Sequence, residues 1–185
     1  MKILFLIMMA LTAVSARAMT VDSINFEDKV VVAGKELVIN GVGIRKATFL
    51  KIKVYYGALY LTQKSTNSGT FLGTTDPKQI TMQFVRDVDA KDLRKTYKEA
   101  FEGANVDTYK KMISTFEAFN ENFTDIKKGQ SMSFVFLPDG VLLTIAGKTF
   151  TKAGDANFAK ALLNMWFVNP LDPNLTKGLL GQEIQ

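Results

Sequence analysis

The sequence predicts an α+β protein, in which strands and helices occupy separate stretches of one chain. Segments at 36–40 and 79–85 alternate apolar and polar residues as strands do, and a strongly apolar segment lies between them at 49–61. Residues 89–119 then place apolar side chains at helical spacing, and a hairpin pattern follows at 134–145. Runs of antiparallel strands with segregated helices are typical of the α+β class.

The N-terminus has the three parts of a secretory signal peptide. Lys2 supplies a positive charge, Ile3–Val14 is a short apolar run, and an Ala-Arg-Ala cleavage pattern ends at Ala18. The run is shorter than the roughly 20 apolar residues that a membrane span requires. We therefore predict a signal peptide at residues 1–18, one domain at 19–185, and a periplasmic mature protein without a stable membrane anchor. An uncleaved anchor is the alternative.

Four segments are predicted strands before the first helix. Val30–Val32 is β-branched, and Glu36–Asn40 and Gln79–Val85 alternate. The strongest prediction is Phe49–Leu61, whose two faces both become apolar, so we expect this strand to be covered on both sides or to line a cavity. Its alternation assigns to one face Ile52, Val54, Tyr56, Ala58 and Tyr60, and to the other Lys53, Tyr55, Gly57, Leu59 and Leu61.

The first two helices are predicted from a capping residue and from apolar spacing. Asp89 is a candidate N-cap for a helix that carries Leu93, Tyr97 and Phe101 on one face. A second helix is expected from about Asp107. Apolar stripes at helical spacing are usually core, and we interpret them so here.

The C-terminal part of the chain is predicted to contain a hairpin and two further helices. Pro138-Asp139-Gly140 has the turn chemistry that joins two strands. Asp155 is the expected N-cap of one helix. Asp172 is the expected N-cap of another, because a proline at the next position suits the first turn of a helix.

The composition excludes several functions. The chain has no His and no Cys, which removes Ser-His-Asp and Cys-His catalysis and zinc sites built from imidazole or thiolate. We accordingly predict no metal and no cofactor, and we assign no catalytic residue. The net charge of +5 is not concentrated in a dense Lys/Arg stripe, so nucleic acid is not an expected partner. Gly41 and Gly43 do not begin a dinucleotide fingerprint, since Lys46 replaces its third glycine.

The candidate binding residues are Arg45 and Tyr55. Arg45 follows Gly41 and Gly43, which we interpret as a tight Gly-rich turn, and Tyr55 lies in the next strand. A guanidinium can bind a carboxylate through two hydrogen bonds, and a phenol can donate a third. Both side chains would hold a fatty-acid head group if they pointed into an apolar cavity. From the residues alone, a surface Arg45 and a core Tyr55 form the more common arrangement.

Three stretches resemble the chalcone-isomerase-like family. They are the Gly-x-Gly-x-Arg at 41–45 with the strand Lys53–Leu61, the turn at 138–140, and the tail Leu163–Gly181. The resemblance implies an open-faced β-sandwich, which is a large antiparallel sheet with a layer of helices and a ligand cavity between them. The predicted domain at 19–185 would be one such unit.

The resemblance also implies a ligand and its binding residues. In the fatty-acid-binding members, the residues at the positions of Arg45 and Tyr55 hold the carboxylate, so a fatty acid or similar amphiphilic carboxylate is the expected partner. The plant enzymes that cyclise chalcone keep the Arg but have Thr in place of Tyr55, and their Thr-Met pair corresponds to Asn164 and Met165. We therefore expect ligand contacts at Arg45, Tyr55, Asn164 and Met165.

Two other functions are open alternatives. One is an isomerase, or intramolecular lyase, of the chalcone isomerase type. The other is an accessory protein of the cell envelope that binds no small ligand. The sequence does not define an oligomeric state.

Overall fold

The computed structural model describes residues 18–47, 50 and 52–182. Nine strands are present in this part of the chain. They are β1 (Ala18–Val21), β2 (Ile24–Glu27), β3 (Lys29–Val32), β4 (Lys35–Ala47), β5 (Ile52–Leu61), β6 (Lys78–Phe84), β7 (Ser131–Leu137), β8 (Gly140–Ile145) and β9 (Lys148–Thr149). β1 and β2 form a separate hairpin, and the other seven form one antiparallel sheet in chain order.

The helices lie between strands β5 and β7 of the chain and after β9. They are α1 (Gly69–Leu72), α2 (Ala90–Ala104), α3 (Tyr109–Asn120), α4 (Ala156–Asn164) and α5 (Pro173–Leu179). Asp155 and Asp172 cap α4 and α5 with their side chains, as predicted, whereas Asp89 occupies the N-cap of α2 without a side-chain hydrogen bond. The α+β class and the sheet with a layer of helices are therefore confirmed.

The sheet buries both of its faces, which confirms the expectation for β5. On one face, Leu59 and Leu61 join a large aromatic core under the helices. On the other face, Tyr56 and Tyr60 join a smaller cluster that includes Phe26 of the β1–β2 hairpin. The hairpin is fastened to the sheet through Asp22, whose Oδ2 accepts hydrogen bonds from Lys53 Nζ at 2.7 Å and Tyr56 Oη at 2.6 Å.

A β-bulge in β5 changes which side chains face the helices. Arg45 of β4 pairs with Tyr55, but the next residue of β4 pairs with Lys53, which leaves Val54 as an extra residue. Val54 and Tyr55 therefore both belong to the helix side of the sheet. The Lys53 ammonium instead lies 5.7 Å from the ring centre of Tyr56 on the other side. The predicted alternation is wrong here, because it placed Val54 with Tyr56 and Lys53 with Tyr55.

Gly41 and Gly43 lie inside β4, so the predicted Gly-rich turn before Arg45 is wrong. The two glycines instead allow α5 to pack directly against β4. A Cβ on Gly43 would stand 2.3 Å from the carbonyl oxygen of Leu175, and a Cβ on Gly41 would stand 2.3 Å from that of Gly178. Only glycine lets the two backbones approach so closely. This contact holds the start of α5 beside Arg45.

The predicted signal peptide lies outside the described residues, apart from the backbone of Ala18, which begins β1. Within the described ranges, no helix is long and apolar enough to cross a membrane.

Candidate functional site

A cavity of about 600 Å³ lies between one end of the sheet, helix α2 and the segment 165–176. Its apolar wall consists of Ala47, Val54, Phe84, Val88, Leu93, Ala100, Met165, Trp166, Pro170, Leu171 and Leu175. Its polar lining includes Arg45, Tyr55, Thr96, Tyr97, Asp172 and Thr176. An apolar cavity with a few convergent polar groups is the usual form of a small-molecule site.

Arg45 reaches the cavity from the end of β4, and its side chain is 20% exposed. Its Nη1 donates a hydrogen bond to the main-chain oxygen of Lys46 at 2.6 Å and to Oδ2 of Asp172 at 3.3 Å. No group in the described ranges accepts a hydrogen bond from its Nε or Nη2. Part of the guanidinium fork is thus fixed by the protein, and the rest of its donors are free for a ligand.

Asp172 has a second role besides the predicted cap of α5. Its Oδ1 accepts hydrogen bonds from the N–H groups of Asn174 and Leu175 at 3.1 and 3.2 Å. Its Oδ2 accepts from the N–H of Lys46 at 3.0 Å and pairs with Arg45. Sequence reasoning missed this ion pair, because the two residues are 127 positions apart and no local pattern connects them.

Tyr55 faces the same cavity from β5, directly opposite Arg45 in the strand pairing. Its ring centre lies 5.2 Å from that of Phe84. Burial raises the pKa of Tyr55 to about 12, although the Arg45 charge and the Trp166 indole offset part of the effect. The phenol is therefore neutral at physiological pH and can donate a hydrogen bond.

Tyr97, which the helical spacing predicted on the core face of α2, also lines the cavity. Its hydroxyl donates to Sδ of Met82 at 3.4 Å, and its ring stacks on that of Phe123 with 4.6 Å between centres. Burial raises the pKa of Tyr97 well above its ordinary value. Tyr97 therefore contributes an aromatic wall and a neutral phenol.

The pair at 164 and 165 is divided between two environments. Met165 lines the cavity beside Trp166. Asn164 is absent from the described lining, and its Nδ2 instead donates to Oδ1 of Asn105 at 3.3 Å. Asn105 in turn donates to the carbonyl oxygens of Phe101 and Ala161, each at 2.9 Å. The structure thus brings Arg45, Tyr55 and Met165 together and places Asn164 in a network between α2 and α4.

Charged side chains of both signs surround the mouth of the cavity. They are Arg86, Asp87, Asp89, Asp92, Lys95 and Glu99. Asp87 pairs with Lys127, whose Nζ lies 3.2 Å from its Oδ2. Among the described residues, no group of three acidic side chains is arranged to hold a metal ion.

The comparisons with known proteins agree with this architecture. The fold is similar to the crystal structure of a fatty-acid binding protein from Arabidopsis thaliana, with a TM-score of 0.65 and 14% sequence identity over 89% of this chain and 96% of that chain. No curated protein sequence matches this chain significantly. A family model described as chalcone isomerase-like matches residues 18–181. The chain therefore belongs to the chalcone isomerase-like family.

Proposed function

We propose that the protein binds a fatty acid or a similar amphiphilic carboxylate in the cavity. The observation that carries this proposal is the position of Arg45 and Tyr55, which sit opposite each other on adjacent strands and both line a largely apolar cavity of about 600 Å³. That volume lies within the range of roughly 300–1,000 Å³ that small-molecule sites occupy.

The carboxylate would accept hydrogen bonds from the free donors of Arg45 and from the Tyr55 hydroxyl. A charged donor makes a strong bond to a carboxylate, and a neutral phenol adds a second without adding charge. The alkyl chain would then contact the apolar wall that includes Leu93, Trp166 and Leu175. Each buried methylene contributes about 0.8 kcal/mol, so burial of the alkyl chain adds to the affinity that the hydrogen bonds of the head group supply.

The similar fold of a fatty-acid binding protein supports this ligand class. The N-terminal pattern supports the periplasm as the site of action, because it combines a positive charge, an apolar run and a small-residue exit. The alternative of an isomerase receives less support from the cavity. The two phenols of the cavity, Tyr55 and Tyr97, have raised pKa values, and a phenol that stays protonated at physiological pH is a weak general base.

Native mass spectrometry of the protein purified from the periplasm tests the proposal. We expect wild type to carry a bound mass of fatty-acid size and to take up added palmitate. Arg45→Gln should lose this mass, and Tyr55→Phe should retain less of it than Tyr60→Phe. Tyr60 is the matched control because it lies in the same strand but belongs to the cluster on the opposite face.

The double variant Arg45→Gln/Asp172→Asn is a control for misfolding of the single Arg45→Gln variant. It removes both members of the ion pair and leaves an Asn side chain that can still cap α5. A folded double variant without ligand supports carboxylate binding at Arg45. A wild-type protein that carries nothing and takes up no palmitate would contradict the proposal and favour the isomerase or the accessory role.

A further inference from the structure

A second cavity lies at the opposite end of the sheet from the first. Its volume is about 680 Å³, and it is bounded by the start of β4, the segment after β5 and the start of β6. Most of its lining residues are polar, and it shares no described lining residue with the first cavity. The second cavity is therefore a separate space with a different chemical character.

Lys78, at the start of β6, places a positive charge at the wall of this second cavity. The residue is only 4% exposed. Its Nζ donates hydrogen bonds to the carbonyl oxygens of Thr74 at 3.0 Å and Asp76 at 2.7 Å, and both of these residues also line the cavity. An ammonium has three N–H donors, so one donor of Lys78 has no acceptor in the part of the chain that the structure describes.

The carboxylates at the second cavity are paired with other lysines. Oδ1 of Asp76 accepts a hydrogen bond from Nζ of Lys35 at 2.8 Å. Oε1 of Glu36 accepts one from Nζ of Lys29, also at 2.8 Å. Lys78 forms no ion pair with any described residue. Burial lowers the pKa of Lys78, and the charge of Asp76 offsets only part of this effect. Because a buried cation without a paired anion is unfavourable, an anion from solution would stabilise it.

Further donors stand at the rim of the second cavity, in the segment after β5. Lys64 is exposed there and forms no ion pair within the described ranges. The side chains of Thr62 and Gln63 line the same rim and have no hydrogen-bond partner among the described residues. The segment itself is held in place, since the N–H of Ser65 donates to Oδ1 of Asn40 at 2.7 Å. The rim therefore offers fixed donors that the protein itself does not use.

We propose that the second cavity binds a small oxyanion, the phosphate or carboxylate group of a polar molecule, and that Lys78 and Lys64 hold it. The buried ammonium of Lys78 would donate its third N–H to one oxygen of the anion, and Lys64 would approach the anion from the rim. A lysine ammonium is a compact point charge, which suits phosphate as well as carboxylate. This site is independent of the ligand at Arg45, because the two cavities share no described lining residue.

NMR titrations of the backbone amides test the proposal, with inorganic phosphate and acetate as separate probes and sodium chloride at the same ionic strength as the blank. We expect one of the two anions to cause saturable shifts at residues 62–65 and 76–78, and the anion that binds more tightly identifies the head group. Lys64→Gln should weaken this binding about threefold through the loss of one charge. Lys160→Gln is the matched control and should not change it, since Lys160 is exposed on α4 and lies outside both described linings.

Lys78→Met removes the buried charge and should abolish the shifts, and the exposed Lys64→Gln decides the question if urea denaturation shows that Lys78→Met does not fold. Shifts that sodium chloride reproduces, or that never saturate, would overturn the proposal, and so would equal effects of Lys64→Gln and Lys160→Gln. Palmitate uptake separates this site from the first. We expect Lys64→Gln to keep this uptake, and we expect Arg45→Gln to keep the saturable shifts at residues 62–65 and 76–78.

Discussion

Arg45 enters the cavity already paired with an acid of its own chain. Asp172 holds one guanidinium nitrogen at 3.3 Å while it caps α5, and its side chain is only 10% exposed. The pair fixes the direction of the remaining donors of Arg45, which favours binding of a carboxylate. Asp172 would nevertheless repel the carboxylate of the ligand, because like charges repel more strongly where water is partly excluded.

The substitution Asp172→Asn separates these two effects. Asn keeps an oxygen that can accept from the N–H groups of Asn174 and Leu175, but it carries no charge. We expect Asp172→Asn to bind a long-chain fatty acid about fivefold more tightly, because the repulsion is removed. Binding of the corresponding fatty alcohol should not change. Isothermal titration calorimetry with both ligands measures this difference.

Asp155→Asn is the control for this prediction. Asp155 also caps a helix with its side chain, since its Oδ1 accepts from the N–H of Phe158, but it lies outside the described cavity lining. Weaker binding of the fatty acid by Asp172→Asn would mean that the orientation of Arg45 outweighs the repulsion. An equal change for fatty acid and fatty alcohol would mean that neither effect acts on the head group.

At the scale of elements, the docking of α5 on β4 assembles the site. Gly41 and Gly43 let α5 touch the strand, and Asp172 at the start of α5 then meets Arg45 near the end of that strand. Gly57 pairs with Gly43 on the adjacent strand, yet a Cβ there would lie no closer than 3.5 Å to its neighbours. A Cβ at position 43 would thus clash with α5, whereas a Cβ at position 57 would make only ordinary contacts.

Gly43→Ala and Gly57→Ala test this packing. We expect Gly43→Ala to lower the free energy of unfolding by about 3 kcal/mol, because its Cβ would stand 2.3 Å from a main-chain oxygen. It should also weaken binding of the fatty acid, since α5 carries Asp172. Gly57→Ala should cost less than about 1 kcal/mol. Urea denaturation measures both values, and equal losses in the two variants would contradict this account of the α5 contact.

The elements could be predicted from the sequence wherever the signal is local. The caps at Asp155 and Asp172 and the hairpin turn at 138–140 depend on a few neighbouring residues, and the structure confirms them. The bulge at Val54 and the role of Gly43 depend instead on a partner strand or helix. A one-residue shift in register moves a side chain to the other face, so simple alternation fails there.

In the candidate site, too, the features that depend on distant parts of the chain could not be predicted. The family resemblance identified Arg45 and Tyr55, and the structure places both at one cavity. Their direction could not be predicted from spacing, because the bulge and the docking of α5 determine it. The ion pair with Asp172 joins two distant parts of the chain, and the position of Asn164 depends on its contact with Asn105.

At the scale of the whole molecule, stability comes from a sheet whose two faces are both buried. The chain has no Cys and no His, so neither disulfides nor imidazole titration contributes. Its five tyrosines are at positions 55, 56, 60, 97 and 109, and burial is the largest cause of a raised pKa at every one of them. The folded protein therefore disfavours phenolate everywhere.

This pattern predicts a specific dependence of stability on pH. Unfolded tyrosines ionise at about pH 10, whereas the pKa is about 12 for Tyr55 and Tyr109 in the folded protein. Between these values the unfolded chain loses protons that the folded chain keeps, so the free energy of unfolding falls as pH rises above about 10. It should be nearly constant from about pH 6 to about pH 8, because no histidine titrates there.

Denaturation in urea across this pH range measures the effect. The ultraviolet absorbance of phenolate reports in parallel whether ionisation coincides with unfolding. Tyr55→Phe should make the alkaline loss of stability less steep, since it removes one group whose pKa rises on folding. A decline that begins near neutral pH, or phenolate formation at about pH 10 in the folded protein, would contradict the burial of the tyrosines.

We propose that the ligand carboxylate lies at Arg45 and Tyr55 with its alkyl chain in the cavity. A crystal structure with a fatty acid brominated at its terminal carbon tests this claim most directly. We predict a carboxylate oxygen within about 3 Å of an Arg45 nitrogen and of the Tyr55 hydroxyl, with the anomalous signal of bromine among the apolar lining residues. Bromine beside Arg45, or a carboxylate bound to Arg86 or Lys95 at the mouth, would contradict it.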